Sequence, residues 1–172
     1  MAHELYTRTN QKLYFAGLAL ESLRKAEEGR AMNAQALVQA EREAALFHLH
    51  GALLGLCHEI AGFYRLPQAA APRPELLLTA DVLAAAPSPE LSELVELAQQ
   101  PETWLAELLA AHAALFLPPQ APKKAKVDPA MPLIQAVSVD DEPTLLSGVT
   151  LEEWRQNLKA LALRFREGLS EC

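Results

Sequence analysis

The chain has 172 residues, 51% of them hydrophobic and 22% charged, with a formal charge of −7. That is enough for one domain with a substantial core, residues 1–172. Twenty-two acids against 15 bases argue against a general nucleic-acid binder, which needs a basic face for phosphates, and two cysteines, Cys57 and Cys172, exclude a disulfide framework or a four-cysteine zinc site.

The first element predicted is a helix from about His3 to Glu28, with Leu13, Ala16, Leu20 and Leu23 at helical spacing. Gly29 reads as its left-handed stop, and Glu28-Gly29-Arg30 as a tight turn into an antiparallel neighbour. The second helix runs from about Ala31 to Arg65. Its first half is polar. In its second half Leu46, Leu49, Leu53, Leu56, Ile60 and Phe63 form a stripe, and Gly51, Gly55 and Gly62 form a face that another backbone can approach. The stretch Ala44 to Tyr64 has membrane-spanning length. It also holds His48, His50, His58 and Glu59, so a buried central helix is expected rather than a span.

Pro67 to Pro74 reads as a linker, followed by a short helix around Glu75 to Ala86. Ser88-Pro89 reads as a cap with proline at the first helical position, and Leu91, Leu94, Val95 and Ala98 line that helix. Pro101 opens the next, to about Phe116, with His112 a core histidine among leucines. Residues 117–149 form a long proline-rich loop with six of the chain's 12 prolines. Within it Leu133, Ile134, Val137 and Val139 mark a short apolar segment suited to docking on a partner. Thr150-Leu151-Glu152-Glu153 reads as a capping box for the last helix, where Trp154, Leu158, Leu161 and Phe165 form the cleanest stripe in the chain. The expected fold is therefore all-α: a bundle of about four principal helices plus two short ones, with the loop before the last.

Charge is uneven. Residues 67–116 hold seven acids and one base, while the last helix carries Arg155, Lys159 and Arg166 on an outer side. These are either two solvated faces or a pair that meets within the chain or between subunits.

Chemistry is sparse. No histidine has a Glu, Asp or second His three or four positions away, so no metal site lies on one helix face. There is no phosphate loop and no nucleophile elbow. Arg42 and His48 resemble the Arg-x(4–6)-His signature of the HEPN ribonucleases, but chance supplies about 0.8 such pairs in this composition, so the match carries little information. Folding the first two helices back at Gly29 places residues whose numbers sum to about 59 opposite each other. Arg8, Asn10, Arg42, Glu43, His48 and His50 then gather as a polar cluster, either satisfying one another or lining a ligand or metal pocket.

Glu4 to Gly17 and Met32 to Glu43 resemble a family of small helical proteins from pseudomonads and relatives, classed as a domain of unknown function. The resemblance implies a cytosolic bacterial protein with no known activity and no assigned functional residue. The expectation is a non-enzymatic, cytoplasmic interaction or adaptor protein without a cofactor, whose partner is another protein or a second copy, not nucleic acid or a membrane. The alternatives are a small-ligand or metal binder at the polar cluster, and a HEPN-like ribonuclease.

Overall fold

A computed structural model describes residues 2–118 and 146–170. Among them are six helices and no strand: α1 (Ala2–Glu28), α2 (Ala34–Phe63), a 3-10 turn (Pro74–Leu76), α3 (Ala80–Ala85), α4 (Pro89–Gln99), α5 (Trp104–Ala114) and α6 (Gly148–Ser170). The expected all-α bundle is the fold. The apolar segment at Leu133, Ile134, Val137 and Val139 lies outside the described residues.

α2 is the axis. Leu49, Leu53, Leu56 and Ile60 are almost fully buried, and α1, α4, α5 and α6 add their own leucines to the same hydrophobic cluster. Each such side chain contributes about 1.5–3 kcal/mol when buried, against about 1 kcal/mol net for a hydrogen bond, so packing rather than capping holds α2. The helix is long and apolar enough to cross a membrane, and 67% of its most apolar stretch is covered inside the bundle. Phe63, expected on the inner stripe, is instead 44% exposed at the end of the helix.

α1 and α2 form the antiparallel hairpin, but the turn differs from expectation. The connection takes residues 29–33, and no glycine has a positive φ. Gly29 donates its amide to the Ala26 carbonyl (3.2 Å) instead of adopting the left-handed form. The left-handed residue is Arg65 (φ 53°), which ends α2. Beyond it the Leu66 amide reaches back to the Ala61 carbonyl (2.8 Å) and Leu66 is buried, in the manner of a helix-terminating motif. The longer turn shifts the hairpin register by about one helical turn. Phe15 meets His48, and Thr9 sits on Gly55, at sums of 63 and 64 rather than 59.

Caps explain the remaining boundaries. Ser88 accepts from the Leu91 amide, as expected, and Thr79 accepts from the Val82 amide at the start of α3. The segment expected as one helix from Glu75 to Ala86 divides at this cap. α5 begins at Trp104, not Pro101, because the Thr103 hydroxyl accepts from the Ala106 amide. α6 begins two residues before the expected capping box. Ser147 Oγ accepts from the Thr150 amide (3.1 Å), so Ser147 is the cap and Thr150 lies in the first turn.

The small-residue face of α2 is where α1 comes closest. A Cβ at Gly55 would lie 2.6 Å from Thr9 Oγ1 and 3.1 Å from Thr9 Cα, so backbone would have to move. At Gly51 the nearest atoms belong to the flexible Lys12 stem, at 3.1 Å. Gly55→Ala is therefore expected to destabilise by about 1–2 kcal/mol, overpacking outweighing the gain in helix propensity. Gly51→Ala is expected to stabilise by about 0.5–1 kcal/mol. Urea unfolding of the two variants checks the opposite signs.

Candidate functional site

The six residues expected to cluster between α1 and α2 are dispersed. Arg8 is exposed and donates to Gln11 on its own helix. Asn10 faces α6, accepting from Arg166 Nη1 (3.0 Å). Arg42 donates Nε to the Leu146 carbonyl (2.8 Å), which ties α2 to the start of α6, and Nη1 to Gln39. Glu43 accepts from Gln39. His48 stands edge-on to Phe15 and Phe47, with Lys12 over the Phe47 ring. Its Nδ1 is buried with no hydrogen-bond partner among the described residues. Burial, and then the Lys12 charge, hold its pKa below the ordinary histidine value. The shift of register explains the dispersal: one turn of slip exchanges the polar contacts expected at Thr9 and Gln11 for the packing of Phe15 and Lys12.

His50 points elsewhere. It is 8% exposed, and its Nε2 lies 3.1 Å from Glu75 Oε1 on the 3-10 turn. On its other side the His112 ring of α5 stacks face to face, with centroids 3.5 Å apart and planes within 5°. His112, expected as a core residue among leucines, is half-buried, and the exposed Phe116 ring stands edge-on to it. His50, Glu75 and His112 each offer one donor atom, and these atoms lie within 4.8 Å of one another. Burial raises the Glu75 pKa, but its own backbone amide, the His50 hydrogen bond and the charges of His50 and His112 outweigh this and hold the carboxyl below its usual range. Burial, then the neighbouring His50, lower His112, and Glu75 only partly offsets them. Cys57, two turns from His50 on α2, is fully buried and its thiol is pushed well above the usual range by that burial, so it is inert.

The arginines of α6 are also not where the sequence suggested. Arg166 turns inward and forms a two-pronged ion pair with Glu59 (Nη2 to Oε1 2.7 Å, Nε to Oε2 3.0 Å), while its guanidinium lies over Tyr6. The Glu59 side chain is 1% exposed. Arg155 donates to the Leu13 carbonyl (2.9 Å) across Gly17, where a side chain would collide with it. Of the acidic middle helices, Glu93 meets α6 through Arg164 (2.5 Å). A groove of about 830 Å³ runs between the second half of α1 and the start of α6. Leu18, Leu20, Leu23 and Val149 line it, with Glu27 and Glu153 on its sides.

The whole chain, residues 1–172, matches the model of a family described as a family of unknown function, DUF6586. The chain belongs to that family. No curated protein and no solved structure matches it.

In this DUF6586 chain Arg42 and His48 lie six residues apart on one helix, about 120° round its axis, and the Arg42 guanidinium is engaged by Leu146 and Gln39. The trio of His50, Glu75 and His112 was not visible in the sequence. Its members are separated by 25 and 37 positions, and only the lone histidine on an otherwise leucine-lined α5 hinted at it.

His48 and His112 both have native pKa values below the unfolded value of about 6.5. The unfolded chain then binds more protons below that pH, so stability is full above about pH 6.5 and falls as pH drops. The depressed carboxylates Glu75 and Glu93 act in a lower window, below about pH 4.5. Urea unfolding is expected to show stability falling between about pH 7 and 5, with His48→Gln flattening that slope.

Proposed function

We propose that the protein is a non-enzymatic interaction protein that holds a basic amphipathic helix of a partner in the groove between α1 and α6. The observation that supports this reading is the apolar lining of that groove beside uncompensated carboxylates. Leu18 is 44% and Val149 71% exposed there, an arrangement suited to the apolar face of a helix. Glu21, Arg24 and Glu152 are spent in ion pairs with Lys25, Glu28 and Arg155. Glu27 and Glu153 have no such partner among the described residues, which gives the groove a preference for basic side chains. From Tyr14 to Glu27 the groove follows α1 for about 20 Å, the length of roughly 14 helical residues.

The test uses a synthetic amphipathic helix of about that length, leucine on one face and lysine on the other, and its glutamate counterpart. The lysine peptide is expected to perturb the amide resonances of Leu18, Glu27, Val149 and Glu153. The Leu18→Lys, Val149→Lys double variant, altered only at exposed positions, is expected to weaken it by at least about ten-fold. Equal binding of both peptides, perturbation centred elsewhere, or a dimer in sedimentation that closes the groove would each refute the reading.

A further inference from the structure

We propose that His50, Glu75 and His112 bind one divalent transition-metal ion of the zinc class. The site shares no residue with the α1/α6 groove and does not depend on it. Three separate elements, α2, the 3-10 turn and α5, bring one donor each to a single point. Donors about 2.0–2.1 Å from a tetrahedral zinc ion stand roughly 3.3 Å apart. His50 Nε2 and Glu75 Oε1 already stand at 3.1 Å, and the third donor falls within 4.8 Å.

Imidazole lone pairs lie in the ring plane, so the two stacked rings present their nitrogens side by side at the Glu75 carboxylate rather than to the space between the rings. A metal takes both rings in their neutral form, each giving one in-plane nitrogen lone pair. Glu75, exposed to solvent, supplies the anionic oxygen. The torsion that turns the His112 ring is soft, so the stack opens readily into the splayed pair of a metal centre. Two imidazoles and one carboxylate select zinc, cobalt, nickel or copper over calcium and magnesium, which take all-oxygen sets. Three protein ligands leave a fourth position on the solvent side, where Glu75 and Phe116 are exposed.

Untagged full-length protein, titrated with Zn²⁺ against a competing chelator, is expected to bind one ion per chain with Kd below about 10 µM. Glu75→Gln and His112→Gln, both at accessible positions, are each expected to weaken binding at least ten-fold, while His58→Gln, whose ring is engaged by the Ala71 carbonyl (2.7 Å), leaves it unchanged. Cobalt substitution supplies a second readout, visible absorption bands that both variants lose while circular dichroism confirms their fold. Ca²⁺ and Mg²⁺ are expected not to compete. Weaker or substoichiometric zinc binding, or binding that survives Glu75→Gln and His112→Gln, would overturn the proposal and leave the trio a hydrogen-bonded clamp between α5 and α2.

Discussion

One requirement shapes the molecule: the apolar length of α2, from Ala45 to Ala61, has to be kept from water. A helix this apolar on so many sides cannot be hidden by one neighbour. α1 covers it along the glycine face, where Gly55 lets the Thr9 backbone come close. α4, α5 and α6 close the other sides with Leu91, Leu94, Leu105, Leu108, Trp154, Leu158 and Phe165. The short elements between α2 and α4 follow the same demand, since Leu77 and Leu78 turn inward beside the 3-10 turn while Glu75 stays outside.

Within this apolar frame the polar contacts decide position rather than strength. A buried ion pair gains little net stability over a well-packed apolar pair, but an unpaired buried charge costs about 3–5 kcal/mol. Glu59 therefore admits only arrangements in which a cation reaches it, and Arg166 does so from α6 while touching Asn10 and Tyr6 of α1. The three longest helices are thus keyed at one point. Arg155 and Arg42 key the same helices further along, each by a guanidinium donating to a backbone carbonyl, Leu13 and Leu146. In all three contacts a guanidinium fixes the helices in register.

The helices were legible because their apolar spacing and caps are local. Ser88-Pro89 and the Trp154 to Phe165 stripe are read within a dozen residues. Register was not legible. Five connecting residues instead of two slid α1 by about a turn along α2 and moved Thr9 from His50 to Gly55. The choice of Gly29 as a left-handed stop failed because the chain leaves α1 through an ordinary conformation, and an arginine takes the left-handed place at the end of α2. The inward turn of Arg155 and Arg166 was hidden because long side chains reach across a helix face to partners over a hundred positions away. A clue was present in Glu59, a carboxylate inside an apolar run, which requires a partner from somewhere. The meeting of His50, Glu75 and His112 is likewise long-range and needs the packing of α5 on α2.

The groove between α1 and α6 and the cluster of His50, Glu75 and His112 share no residue, and both depend on α2 staying fixed. Amide hydrogen exchange tests that dependence most directly. The amides from Leu46 to Ala61 are expected to be the slowest in the chain and to open only with global unfolding, together with those of α1 and α6 that face them. Exchange of this stretch through smaller openings, while α4 and α5 remain protected, would contradict an architecture assembled on α2.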